Sequence, residues 1–194
     1  MVVPQTTIRL GREKMPIQNT GWELLISRLR EDNRNGRRRT VGRYQVFHDG
    51  AAVPALTGMC AETRGPGDNS KVGNNRRIEA GRYPLRTQDG QKYVTIGYKE
   101  TNSVTAIPRP GIDVGATGKR IGILIHPGRS FLSSIGCINP AASLADAKAD
   151  IDFVDSRKRV IAIINDMKTF LGSSFPNSNG KSIPKASLTI DGEP

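Results

Sequence analysis

Two side chains in this sequence have the chemistry of a nucleophile and its base: Cys137 and, eleven positions earlier, His126. A thiolate attacks carbonyl carbon, and an imidazole can take the thiol proton and return it to a leaving group. The local order is Ile125-His126-Pro127-Gly128, then Ser134-Ile135-Gly136-Cys137-Ile138-Asn139. Ile121–Ile125 is a short apolar run that reads as a buried strand, placing His126 at a rigid strand end. Pro140 suits the first position of a helix, and residues 141–154 carry Leu144, Ala147, Ile151 and Val154 at helical spacing. Cys137 is therefore expected just before a helix N-terminus, whose unpaired N–H groups and partial positive charge favour the thiolate. Gly136 allows a tight turn that aims backbone N–H groups at a developing oxyanion. The same pair also fits a plain structural reading, because free cysteine is among the most buried residue types.

The remaining reactive residues are few. The chain has two cysteines and two histidines. Cys60, in Gly58-Met59-Cys60, reads as a buried strand residue, and His48 as a solvated turn residue. With no CxxC pair and so few histidines, a zinc site built from the usual residues is not expected.

The elements that must hold this pair are read from periodicity and turn residues. Thr20 and Glu23 match a T-x-x-E capping box, and Trp22, Leu25, Ile26 and Leu29 fall on one helical face, so a helix is expected over 20–36 with Gly36 as its stop. Tyr44–Phe47 reads as a strand ending at His48-Asp49-Gly50. Residues 64–77 read as a long loop, Arg82–Arg86 with Lys92–Tyr98 as a hairpin, and 107–119 as another loop. Asp155 can cap a helix carrying Val160, Ile161, Ile164, Met167 and Leu171 that stops at Gly172. The tail 173–194 is polar and broken by proline.

Net charge is +11, and residues 1–43 hold ten Lys/Arg against four Asp/Glu. The cluster Arg34, Arg37, Arg38, Arg39 and Arg43 favours a polyanion or is simply a solvated surface. Aromatic content is only 5%, and no aromatics interleave with these arginines, so a stacking platform for single-stranded nucleic acid is not expected. No 18-residue apolar run is present, so no membrane span is expected. The opening MVVPQTTIRLGREK lacks the apolar stretch of a signal peptide. Synthesis in the cytoplasm without a signal peptide is the expectation.

The stretch around Cys137 resembles the L,D-transpeptidase (YkuD-type) family, whose motif is a His, a spacer, then [S/T]-H-G-C-hydrophobic-N. His126, Ser134, Gly136, Cys137, Ile138 and Asn139 match in register. Ile78-Glu79-Ala80-Gly81-Arg82-Tyr83 is similar to the I-P-x-G-x-Y/F segment of the same domains, so the likeness covers roughly residues 44–140. The chain departs from the pattern at Ile135, which stands where the motif has His, and in its short spacer. Short-spaced relatives include peptidoglycan-directed effectors of type VI secretion systems.

The resemblance implies an α+β fold with a mostly β core of mixed sheets or a β-sandwich. A few helices accompany it, one directly after Cys137 and one near the C-terminus. It implies three segments: a basic extension over 1–43 with one amphipathic helix, a catalytic domain over 44–172, and a polar tail over 173–194. It implies attack by Cys137 on the diamino acid–D-Ala bond of a peptidoglycan stem tetrapeptide, with His126 protonating the departing D-alanine and a thioester remaining. Water, a D-amino acid or a second stem amine would then resolve the thioester. No cofactor is implied. Ser134 would orient the loop or bond near the thiolate. Arg129 would pair with a substrate carboxylate or stand exposed, and Asn139 would bind substrate or cap the following helix. Partners would be peptidoglycan stem peptides, with a secretion-machine component and an immunity protein if the enzyme is delivered to the cell wall of a target cell. Two other classes stay open: an inactive cell-wall-binding module of the same fold, and a basic nucleic-acid-binding protein.

Overall fold

Trp22, Leu24 and Ile26 are buried core residues at every second position, with Leu25 and Ser27 less buried between and after them, and period two rather than 3.6 decides their element. In the computed structural model, which describes residues 17–194, this segment is strand β1 (Trp22–Arg34), followed by β2 (Arg37–His48) and β3 (Ala51–Thr63). The helix expected over 20–36 is therefore corrected to a strand. The signal overlooked is Asn35-Gly36: both residues adopt positive φ, 52° and 79°, the conformation of a two-residue hairpin turn. Asp49-Gly50 repeats the device between β2 and β3, at 46° and 83°. Glu23 forms no capping box; its carboxylate accepts the backbone N–H groups of Gln18 and Asn19 at 2.7 and 2.8 Å.

The later strands are β4 (Gly81–Thr87), β5 (Tyr93–Val94), β6 (Arg109–Pro110), β7 (Ile112–Val114), β8 (Leu124–Ile125), β9 (Asn139–Ala141) and β10 (Ser182–Asp191); helix α1 spans Phe153–Leu171. Eight strands form one mixed sheet in the order β8-β7-β4-β10-β1-β2-β3-β9, and β5 with β6 forms a small parallel pair. Among the described residues the architecture is mostly β with one α-helix. The expected hairpin around residues 88–90 is replaced: β4 pairs with β10 and β7, while Tyr93 and Val94 pair with Arg109 and Pro110.

The division into extension, domain and tail does not hold for the described residues. β10, from the supposed tail, lies between β1 and β4, parallel to β1 with Leu188 opposite Leu24. Pro184 is tolerated because the ladder to β4 shifts register between Ser182 and Ser187, so no N–H is needed there. Leu188 and Ile190 are fully buried. Residues 1–16, including the segment read for a signal peptide, lie outside the described residues.

Helix α1 stops as expected at Gly172, where a short 3-10 turn, Gly172–Ser174, follows; Asp152 rather than Asp155 is its N-cap, the Asp152 carboxylate accepting the Asp155 N–H. Val160, Ile163, Ile164, Met167 and Leu171 pack against the sheet residues Trp22, Leu24, Tyr44 and Leu188 in the main core. None of its span meets the length and apolarity needed to cross a membrane, nor does any other described helix.

The helix expected over 141–154 is absent. Residues 139–141 pair with Ala61, Cys60 and Met59 as β9, and Pro140 takes an edge position where its missing donor does no harm. Beyond it, the carbonyls a helix would use internally are taken by arginines of the β1–β2 hairpin. Arg30 donates to Leu144 O at 2.5 Å, Arg39 to Asp146 O and Ala149 O, both at 2.8 Å, and Arg34 to Lys148 O at 3.1 Å. Leu144 and Ile151 instead fill a second small core with Val41, Ala61 and Ala141. Arg39 is fully buried and also pairs with Asp32 at 2.9 Å. Part of the basic cluster is thus internal scaffolding rather than a polyanion surface.

Candidate active site

The two ends of the eight-stranded sheet meet at His126 and Cys137. Ile125, the last residue of β8, bridges in parallel to Ile138, just before β9. The His126 N–H donates to Ile138 O at 3.0 Å, and the Ile138 N–H donates to Leu124 O at 2.8 Å. Closure of the sheet, rather than a helix N-terminus, sets the two segments that carry them side by side.

His126 is 4% exposed. Its Nδ1 lies 2.8 Å from Pro127 O. A carbonyl only accepts, so this contact assigns the proton to Nδ1 and leaves Nε2 as the basic nitrogen. The Tyr93 ring tilts over the imidazole with centroids 4.4 Å apart. Burial, with the nearby charges of Lys92 and Arg109, pushes the His126 pKa down to about 4, against a smaller upward effect of the Pro127 hydrogen bond. The imidazole is neutral at pH 7, the form a general base needs.

The Cys137 thiol is partly exposed and opens onto a cleft of about 190 Å³. Sγ accepts the Leu124 N–H and donates to Gly122 O, each at 3.4 Å. Burial of its surroundings raises the thiol pKa; the Leu124 N–H and the Arg120 charge oppose this, and Asp113 adds to it. The expectation of a thiolate held by a following helix is therefore corrected. The resting pair is a neutral thiol and a neutral imidazole.

Ser134 and Asn139 hold the loop and the base. Ser134 Oγ donates to Cys137 O at 2.9 Å and toward Asn139 Oδ1 at 3.4 Å. Asn139, fully buried, donates its amide to His126 O at 2.9 Å. With no helix at residue 140, Asn139 caps nothing; it ties β9 to the residue carrying the base. Gly136 is required by close packing: a Cβ there would sit 2.3 Å from Arg120 Nη2 and 2.9 Å from Ile123 Cδ1. Arg129 is exposed, with its backbone N–H bonded to Ser133 Oγ at 2.7 Å, and it lines neither cleft beside Cys137. Ile135, at the position of the motif His, is 64% exposed.

Arg120 and Tyr93 escaped the reading from sequence. Arg120 is 6% exposed and donates to Arg76 O at 2.8 Å, Asp68 O at 3.2 Å and Ile135 O at 3.3 Å. It anchors the loop from behind and places a fixed positive charge near Sγ. In the sequence it sits in Gly118-Lys119-Arg120-Ile121, a loop with no pattern to separate it from solvated arginines. Tyr93 lies 33 positions before His126, so no local spacing links them. Among the described residues, no group of three or more His, Cys, Asp or Glu is placed to hold a metal ion.

Cys60 is buried in the main core as expected, its thiol pKa pushed well up by burial. His48 departs from its expected role as a solvated turn residue: it bonds Asp166 Oδ2 at 2.8 Å, beside the Trp22 indole N–H, also at 2.8 Å. No family model, curated protein or solved structure matches the chain, so the site is read from its own geometry.

Proposed function

We propose that the protein is a peptidoglycan-modifying cysteine enzyme of the L,D-transpeptidase type, acting as an L,D-carboxypeptidase or exchanging the terminal D-amino acid. The observation that carries this reading is the sheet closure that seats a neutral, tautomer-fixed His126 on the same seam as an accessible Cys137 thiol.

In this reading the Cys137 Sγ attacks the carbonyl of the diamino acid in a stem tetrapeptide while His126 Nε2 takes the thiol proton. The thiol's resting contact to Gly122 O must break as Sγ turns to the substrate. The tetrahedral oxyanion is met by the backbone N–H groups of Gly136 and Cys137, neither of which has a hydrogen-bond partner among the described residues. The imidazolium then protonates the departing D-alanine amine, leaving a thioester that water or a D-amino acid resolves. Nothing in this route needs a cofactor. By the resemblance of its Cys137 segment, the enzyme would be a delivered antibacterial effector acting on the wall of a target cell, with an immunity partner in the producer.

Muropeptides incubated with the purified protein, with and without added D-amino acid, test the reading by mass spectrometry. Loss or exchange of the terminal D-alanine by wild type, and not by Cys137→Ala, is the expected result. Unchanged tetrapeptides in both reactions would sink it.

One observation favours a second reading, a non-catalytic cell-wall-binding module: the Cys137 thiol is raised in pKa rather than activated. That module would bind muropeptides and leave them intact, with Cys137→Ala binding as well as wild type.

A further inference from the structure

A second, larger cleft adjoins the Cys137 cleft. It encloses about 530 Å³ and is walled by Arg37 and Arg38 at the hairpin end, Arg64 after β3, and the loop Leu132–Ile135. The two clefts share Ile135. The volume is that of an ordinary ligand pocket. Three arginines line it, and no aspartate or glutamate does.

The charge in this wall is neutralised only at Arg38. Arg37 spends one contact on Leu132 O, at 2.9 Å, and is otherwise exposed. Arg64 is exposed and has no side-chain partner among the described residues. Arg38 pairs with Glu31. Glu31 is itself shared: it also accepts from Arg77 at 3.1 Å and from the Gly65 N–H, and its carboxyl is held below the usual range by these donors against the opposing effect of burial. Glu31 thus serves both Arg38 and Arg77, the latter also paired with Glu193 at 2.6 Å, and neither Arg37 nor Arg64 has a carboxylate partner among the described residues.

We infer that this cleft is an anion-binding subsite that receives a carboxylate of the peptide acted on at Cys137. The inference rests on the acyl-transfer reading for its occupant. Ile135 is two residues from Cys137, about 7 Å of extended chain. Because Ile135 lines both clefts, a peptide with its attacked carbonyl at Sγ would extend a carboxylate one or two residues away toward the arginine cleft. Guanidinium offers paired N–H donors that match a carboxylate edge. Ser133 and Ser134 lie in the same wall; their hydroxyls are held within the loop, by Arg129 and by Cys137 O, and so keep that wall in shape. Arg129, the residue expected to bind the carboxylate, lies outside this wall; Arg37 and Arg64 take that role.

The test uses the full chain as Cys137→Ser, which holds peptide without turnover. A tetrapeptide muropeptide with free carboxylates, and the same peptide with its carboxyls amidated, are titrated by calorimetry. Amidation is expected to weaken binding about 10-fold to 100-fold, as loss of a charge-assisted hydrogen bond does. Arg37→Gln and Arg64→Gln should each weaken binding of the acid form about 10-fold and leave the amidated form unchanged. Both side chains are exposed, and matching thermal melts confirm that the variants fold. Equal affinity for acid and amide, no effect of either arginine variant, or binding of neither peptide would overturn the inference. So would competition by inorganic phosphate with no binding of the peptide. If acid-selective binding holds while wild type leaves every muropeptide intact, the catalytic reading fails and the subsite stands.

Discussion

The side-chain amide of Asn139 donates to the backbone carbonyl of His126 at 2.9 Å across the seam where β8 meets β9. The two residues are 13 positions apart, yet each depends on the other. Asn139 is fully buried and needs the acceptor; His126 needs its backbone fixed so that Nδ1 faces Pro127 O and Nε2 is left as the basic nitrogen. Ser134 extends the chain of contacts to the Cys137 carbonyl.

Replacing Asn139 should therefore affect geometry more than binding. Asn139→Ala leaves the His126 carbonyl without its partner and opens a small void, and should cost about 1–3 kcal/mol of stability. If the site turns over muropeptides, kcat should fall about 10-fold to 100-fold, the scale of a misplaced general base, with KM little changed. Chemical denaturation and steady-state kinetics of the variant measure both; an unchanged kcat would remove Asn139 from the positioning role.

The buried His126 makes stability sensitive to acid. Its folded pKa is lowered to about 4 from an ordinary 6.5, so between these values the unfolded chain binds a proton that the folded one refuses. Stability is fully present above pH 6.5 and is lost as pH falls toward 4, by about 3 kcal/mol at 1.36 kcal/mol per unit. Urea melts of wild type and His126→Gln across pH 4–7.5 check this: the slope in that window should shrink in the variant. For activity, the acid limb should fall near pH 4 rather than near 6.5.

A neutral resting thiol predicts slow alkylation. At pH 7 Cys137 should react with iodoacetamide more slowly than a free model thiol, with the rate rising above pH 9, because burial outweighs the help of Leu124 N–H and Arg120. Arg120→Met should slow alkylation further at a given pH and destabilise the fold by about 1–3 kcal/mol, since three carbonyls lose their donor. Mass spectrometry resolves Cys137 from the buried Cys60. Fast alkylation at neutral pH would point to an activated thiolate instead.

β10 should behave as core and not as a tail. Leu188→Ala removes a fully buried side chain opposite Leu24 and should cost about 2–5 kcal/mol. The same change at Leu29, which is half-exposed at the register shift of β1, should stay within about 0.5 kcal/mol. Thermal melts compare the two. Equal effects would contradict the central position of β10.

By itself the sequence determined what is local. The 3.6-residue spacing of Val160, Ile164, Met167 and Leu171 specified α1, because that repeat builds one apolar face regardless of partners. Asp49-Gly50 marked a turn, and His126 and Cys137 were identifiable from residue type and the S-x-G-C-I-N register. Where local signals conflicted, tertiary pairing decided. Residues 20–36 satisfy both a helical face and a period-two alternation, and the Asn35-Gly36 turn with β2 on one side and β10 on the other selected the strand. Residues 141–154 have helical spacing, but Arg30, Arg34 and Arg39, more than 100 positions upstream, bind the carbonyls that a helix would need. The same holds at the site. The sequence named the thiol and the base. Only the closed sheet set their protonation states, supplied Arg120 and Tyr93 around them, turned Asn139 from a cap into a tie to His126, and laid the arginine cleft beside Cys137, because burial and electrostatic fields arise from neighbours distant in the chain.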